Sequence, residues 1–197
     1  MMINWQEREL IIKIVYYGPA LSGKTTNLEQ IHFNVAPEHR SNLLSLKNGE
    51  DRTLFFDFVQ IDLCKINGFL PRINLYTVPG QSYYKISRNI VLTGADGVVF
   101  VADSAPDRSD ANVASWQDMG ENMGSHNLPF DDRHIVIQCN KQDLIGAMSP
   151  EDIRKLLGSN GIPLLSAAAI KGEGVYDTLK KITAKVFYNI EQELILA

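Results

Sequence analysis

An α/β fold is predicted, with six mostly parallel strands, one antiparallel edge strand and helices on both faces of the sheet. Three observations predict it. Strand-like and helix-like stretches alternate along the chain, two of the strand-like stretches are built on continuous apolar runs, and no segment repeats or is strongly biased in composition. At roughly 150 residues per domain, the 197 residues make one domain, spanning 1–197, with little to spare. A hydrophobic fraction of 45% and a charged fraction of 21% are ordinary for a chain that buries a core.

The elements follow in order. Leu10 to Tyr17 is an apolar, β-branched and aromatic run that ends at Gly18, and Thr25 to Phe33 reads as a helix, so the first unit is strand, glycine loop, helix. Pro37 to Asp51 is polar and uneven and reads as a mobile loop of the length that compact domains reserve for function. Leu54 to Leu63 and Ile73 to Val78, joined by a turn at Asn67-Gly68, form an antiparallel hairpin. Gly97 to Asp103 (GVVFVAD) and His134 to Asn140 (HIVIQCN) suit parallel strands buried on both faces, and each ends in a polar residue. Asp110 to Met123 between them is helical. Ser149 caps the next helix, with Pro150 at its first position and Glu151 and Asp152 at its positive end. Ile162 to Leu165 is a short last strand. Val175, Leu179, Ile182, Val186 and Ile190 then form an apolar stripe that packs a final helix on the sheet. Ligands of such sheets bind at the carboxyl ends of the strands.

Charge and cysteine content exclude several functions. Nineteen Lys and Arg against 23 Asp and Glu leave a net charge of −4, which disfavours broad capture of nucleic acid or an anionic membrane surface. Cys64 and Cys139 lie in no disulfide or zinc spacing, and a reducing cytosol suits them. No signal peptide, spanning segment or lipidation box is written in the chain, so a cytoplasmic protein without its own membrane anchor is expected.

Gly18-Pro-Ala-Leu-Ser-Gly-Lys-Thr25 matches G-x-x-x-x-G-K-[ST] between a strand and a helix, the context of a phosphate loop. Gly18 and Gly23 let the backbone of Ala20, Leu21, Ser22, Lys24, Thr25 and Thr26 curl so that N–H groups converge on phosphate oxygens at a helix N-terminus. Lys24 is expected on the β and γ phosphates, and the Thr25 hydroxyl on Mg²⁺. Asn140-Lys-Gln-Asp143 then names the base. The Asp143 carboxylate accepts from the ring N–H and exocyclic amine of guanine, whereas adenine would leave it facing a lone pair. Lys141 lies along the base, and Asn140 ties this loop to the phosphate loop.

Thr77-Val-Pro-Gly80-Gln81 stands where most GTPases carry D-x-x-G. The Gly80 N–H suits the γ-phosphate and Gln81 suits orientation of the attacking water, but Thr77 lacks the carboxylate that holds the water shell of Mg²⁺. Two readings of Asp57 stand open. Alternation places it on the face of Phe55, Val59, Ile61 and Leu63, where it replaces the missing acid, or else it is an exposed edge-strand charge. The histidines and the two tryptophans show no metal or ligand pattern, and Trp5 and Trp116 are assigned to packing.

The stretches KIVYYGPALSGKTTNL, DRTLFFDF, LYTVPGQ, GVVFVADS, NKQD and GVYDTLK, spread over nearly the whole chain, resemble the MglA family of bacterial Ras-like small GTPases of gliding motility and cell polarity. The resemblance implies a Ras-type fold, binding of GTP and GDP with Mg²⁺, and a hydrolytic switch activated by an MglB-type roadblock homodimer. It also implies a chain that is monomeric by itself, recruitment to a cell pole by partners, and an edge strand that slides in register on GTP binding; a two-residue slide preserves which side chains face inward. Carried over by position, Thr53 is the switch threonine on Mg²⁺ and γ-phosphate, Arg52 a built-in arginine finger and Gln81 the catalytic glutamine. Ser166-Ala-Ala-Ala169 resembles the last guanine-contacting loop, with Ala168 and Ala169 at the nucleotide; its register admits either Ala167 or Ala169 as the residue whose N–H faces guanine O6, and counting back from Gly174-Val175 favours Ala169. Ala20 departs from the glycine usual in relatives, where a side chain crowds the glutamine or the arginine, so slow but partner-stimulated hydrolysis is expected. A GTP-locked scaffold with little hydrolysis is the rival reading. An ATP-dependent phosphotransferase is opposed by Asp143.

Overall fold

The computed structural model describes residues 1–47, 53–66, 68–81 and 84–196. Its elements run β1 (Met2–Asn4), β2 (Glu9–Tyr17), α1 (Lys24–Asn34), β3 (Leu44–Lys47), β4 (Thr53–Asp62), β5 (Leu70–Thr77), α2 (Lys85–Leu92), β6 (Gly97–Asp103), α3 (Ser109–Ser125), β7 (Ile135–Asn140), α4 (Pro150–Leu157), β8 (Leu164–Ser166) and α5 (Val175–Leu196). They build an eight-stranded sheet of order β3-β4-β5-β2-β6-β7-β8, with β1 paired to β2. β5, β2, β6, β7 and β8 are mutually parallel, and the hairpin partner β4 is antiparallel to β5.

Two further strands extend the expected six. β3 pairs antiparallel with β4 and takes its place at the edge, so part of the stretch expected to be a mobile loop is sheet. Its four residues are too few for period-2 alternation to rise above their polar surroundings. β1 pairs antiparallel with β2 below the point where β6 joins it. A helix not expected from the sequence, α2, follows Gln81; Asn67 of the expected hairpin turn lies outside the described residues, while Gly68 takes the left-handed φ of 82°.

The sheet carries one apolar cluster on each face. Ile12, Ile14 and Tyr16 of β2 pack with Leu28 and Ile31 of α1 and with the α5 stripe. Val15 and Tyr17 face the other way onto α2, α3 and α4, where Val91, Trp116, Met119 and Ile153 close the layer. Val175, Leu179, Ile182, Val186 and Ile190 are all buried, each contributing roughly 2 kcal/mol. Ser149 caps α4 as expected, in a capping box with Asp152, and Gly158 ends that helix in the left-handed conformation. Trp116 is core as assigned, but Trp5 is 70% exposed, its ring meeting only the edge of Phe69 among the aromatic contacts described.

Neither cysteine is in a disulfide: Cys64 is exposed and Cys139 buried. Burial pushes the Cys139 thiol up to about 12, partly offset by Arg154. Since the thiolate is the reactive form, native protein at pH 8 should titrate one thiol with a disulfide reagent, and denatured protein two.

Candidate functional site

The site is assembled where β2, β6 and β7 end at the same edge of the sheet. The phosphate loop leaves β2 at Tyr17 and enters α1 through Gly23, which has a φ of 99° and caps the helix. A Cβ at Gly23 would lie 2.1 Å from Asn140 Nδ2, so only glycine admits the base-side loop this closely. The Lys24 ammonium, buried beneath the loop, donates to the carbonyls of Gly18 at 3.0 Å and Pro19 at 2.7 Å. Desolvation pushes its pKa down to about 7, against the opposing pull of Asp57. Ser22 is buried, Leu21 is exposed in the left-handed region at φ 63°, and Thr26 lies half-buried in the first turn of α1.

Asp57 resolves the two readings left open by the sequence. It is fully buried, so the exposed edge-strand reading fails. Oδ2 accepts the Thr25 hydroxyl at 2.5 Å and the Thr77 hydroxyl at 2.7 Å, Oδ1 accepts the Ser45 hydroxyl, and the Asp57 N–H donates back to Thr77 Oγ1 at 2.9 Å. A buried carboxylate is tolerated when charge-assisted hydrogen bonds satisfy it. The threonine at 77 therefore orients an acid supplied by the neighbouring strand. Hard oxygen donors from Thr25 and Asp57, beside a phosphate loop, fit Mg²⁺. The Thr25 hydroxyl retains a lone pair for the ion while its O–H donates to Asp57.

Asn140 joins the two ends of the site. Its Nδ2 donates to the carbonyl of Ser22 at 2.8 Å and its Oδ1 accepts the N–H of Ala169 at 2.9 Å. The Ala169 amide thus holds the asparagine, where the sequence reading had it facing guanine O6, and the Ala168 amide is taken by the Glu173 carbonyl at 3.0 Å. Lys141 adopts a φ of 69°, and its Nζ pairs at 2.7 Å with the buried Asp103. The Asp143 carboxylate is exposed.

Several residues that hold the site escaped the sequence reading. Asp103 and Asn140 are register partners at the ends of adjacent parallel strands, a placement signalled only by the polar residue closing each apolar run. Asp103 also lies 3.5 Å from Arg108 Nε, and Arg108 in turn donates to the carbonyl of Ala20 at 2.8 Å. Gln142 donates to Ser104 Oγ at 2.7 Å and to the carbonyl of Met148 at 2.9 Å, fixing the base loop from below. Asn27, Gln138 and Thr178 form a buried amide and hydroxyl network that links α1, β7 and α5.

Gly80 rests on the phosphate loop: a Cβ there would lie 2.4 Å from the Ala20 nitrogen. With Pro19, Ala20, Gln81, Arg88 and Asp118 it lines a cavity of about 580 Å³ between the loop, α2 and α3. Gln81 is half-buried directly after Gly80. Arg52 lies outside the described residues, and nothing is described of the Thr53 side chain, although its backbone opens β4.

Comparison with known proteins settles the class. A model of the ADP-ribosylation factor family matches residues 1–186. The chain is 46% identical over 190 residues, 96% of its length, to the mutual gliding-motility protein MglA of Myxococcus xanthus, of which 97% is covered. This chain belongs to the MglA family of Ras-like small GTPases. It is also 28% identical over 184 residues to ADP-ribosylation factor-like protein 6 of Caenorhabditis elegans, covering 89% of this chain and 86% of that one. With the Ras-related protein RABA2d of Arabidopsis thaliana it shares 22% identity over 194 residues, 98% and 82% of the two chains. As a GTPase of this family it binds guanine nucleotides and hydrolyses GTP. Among the described residues no helix is long and apolar enough to cross a membrane.

Proposed function

We propose that residues 1–197 act as one switch domain whose GTP and GDP forms are read by partners in gliding motility or cell polarity. The observation that carries the reading is Asn140, whose side chain ties its own base loop to the phosphate loop at Ser22 and to the last loop at Ala169, and so makes one nucleotide pocket of separate sequence motifs. The Myxococcus relative, a mutual gliding-motility protein, supports the cellular role.

In this reading the N–H groups of Gly18 and of residues 20–26 bind the phosphates, Lys24 neutralises the β and γ groups, and Asp143 accepts from guanine while Lys141 lies along the base. Thr25 and Asp57 would hold Mg²⁺, joined by Thr53; bound there, the ion neutralises charge on the phosphate oxygens. Gln81 orients the attacking water, and the Gly80 N–H holds the γ-phosphate. Arg52 brings a guanidinium to that phosphate in cis, which for arginine fingers is worth on the order of 10³ to 10⁵ in rate. An MglB-type roadblock homodimer stimulates the step, and partners recruit the cytoplasmic GTPase to a cell pole.

Single-turnover hydrolysis of GTP, followed with and without the roadblock partner, tests the proposal. Stimulation by the partner is expected; a rate that stays at the basal level whatever the partner concentration leaves a GTP-locked scaffold instead. Because the Ala20 backbone lies close against Gly80 and is held by a hydrogen bond from Arg108, the methyl at 20 narrows the cavity it shares with Gln81. Ala20→Gly should therefore raise the basal or the stimulated rate by about tenfold, the effect of relieving a small misplacement. Unchanged rates in both assays would remove Ala20 from the account of slow turnover.

A further inference from the structure

On the face of the sheet opposite Asp57, a charged pair lines the cavity beside the phosphate loop with little exposure. Arg88 of α2 is 6% exposed. Its Nε donates to Asp118 Oδ2 at 2.8 Å and its Nη2 to Oδ1 at 3.3 Å, a two-pronged pair with α3. Nη1 donates to the carbonyl of Gln81 at 2.5 Å and lies 3.5 Å from that of Pro79. Asp118 is held in turn: Oδ2 accepts the Tyr17 hydroxyl and the Asn122 amide at 3.1 Å, and the same amide donates to Tyr17 Oη at 3.0 Å. Burial raises the Tyr17 pKa, with Asp118 acting in the same direction, so the hydroxyl stays a donor.

A guanidinium is planar, and its five donors have fixed directions. Once Nε and Nη2 are pinned on Asp118, the direction of Nη1 is decided, and it points at the main chain of Gln81. Tyr17 is the last residue of β2, immediately before the phosphate loop. Tyr17, Asp118, Arg88 and Gln81 thus form a continuous chain of contacts from the strand that carries the loop to the residue that faces the attacking water.

We propose that Arg88 is a positioning residue for GTP hydrolysis, anchored by Asp118 and holding the Gln81 backbone so that the Gln81 side chain stays at the phosphate loop. The proposal rests on the reading of Gln81 as the water-orienting group. A lysine supplies one point charge and cannot hold Asp118 and the carbonyls of residues 79 and 81 together. A displacement of about 1 Å at a reacting group costs on the order of 10²-fold in rate.

The experiment compares the full-length wild type with Arg88→Lys, Arg88→Met, Asp118→Leu, the double variant Arg88→Met/Asp118→Leu, and Gln81→Leu. Each is assayed for single-turnover GTP hydrolysis, for affinity towards fluorescent GDP and GTP analogues, and for thermal stability. Arg88→Met and Asp118→Leu each remove one charge of the buried pair and should melt early, whereas the double variant removes both charges and should regain stability. Hydrolysis is expected to fall by about tenfold to a hundredfold in Arg88→Lys and to remain that low in the double variant, with nucleotide affinities within about threefold of wild type. The proposal is overturned if Arg88→Lys hydrolyses at the wild-type rate, if the double variant regains rate together with stability, or if its affinity falls as far as its rate. A wild-type rate in Gln81→Leu sinks the Gln81 reading and this proposal together. A slow Gln81→Leu beside a fast double variant sinks this proposal alone.

Discussion

Changing Asp143 to asparagine is expected to lower the affinity for GTP by about 10³-fold and to transfer it to xanthosine triphosphate. The carboxylate matches two donors on the guanine edge. An asparagine keeps one acceptor and turns the other oxygen into a donor, which then faces the exocyclic amine of guanine. Mismatched donors in a site built for hydrogen bonding cost several kcal/mol and produce discrimination on the order of 10⁴ or more. Xanthine presents an oxygen where guanine carries the amine, so the amide matches it. Because Asp143 is exposed, stability should change by less than about 0.5 kcal/mol, which separates the effect from unfolding. Competition of fluorescent GDP by GTP and xanthosine triphosphate checks both halves; an Asp143→Asn protein that still prefers guanine would remove Asp143 from the site.

The second large effect concerns the threonine at 77. Restoring an aspartate there looks from sequence alone like a repair. The structure predicts the reverse. Thr77 Oγ1 lies 2.7 Å from the buried Asp57 carboxylate, so Thr77→Asp would set two carboxylates side by side at two fully buried positions. One must then take up a proton or be pushed away. Nucleotide affinity in the presence of Mg²⁺ should drop by about 10²-fold or more, the equivalent of roughly 3 kcal/mol for an unpaired buried charge. The exchange Thr77→Asp/Asp57→Thr restores one acid and one hydroxyl and should recover most of the loss. Binding of a fluorescent GDP analogue, with and without chelation of Mg²⁺, measures this. A Thr77→Asp single variant that binds as tightly as wild type would show that Asp57 does not fill the role of the missing acid.

What the sequence revealed and what it concealed divides along physical lines. β2, its glycine loop and α1 are contiguous in the chain, and their chemistry is local, so the eight-residue match and its flanks carry it. The same holds for β7 and the stretch from Asn140 to Asp143. Asp57 was half legible: alternation gave its face, but the three hydroxyls that satisfy it come from α1, β3 and β5, which only folding brings together. β1 and β3 have three and four residues and carry too little pattern to stand out. α2 is short, eight residues, and its apolar positions coincide only in part with its buried ones: Ile86 and Ile90 are exposed while Arg88 is buried. Arg88 and Asp118 are 30 positions apart, and neither belongs to a motif.

Around the phosphate loop, nearly every bridge described above ends on a main-chain oxygen. Lys24 reaches those of Gly18 and Pro19, Arg108 that of Ala20, Asn140 that of Ser22, and Arg88 that of Gln81. Every residue type carries that oxygen, so the accepting positions can drift in evolution while each tie survives, provided the backbone path is kept. Paired substitutions across related chains would therefore carry no trace of these couplings. Swapping one peptide unit for an ester weakens its acceptor and removes the N–H of the same linkage, so the Gly18–Pro19 bond, whose nitrogen carries no hydrogen and whose oxygen accepts from Lys24, is where the weight of one such tie reads cleanly.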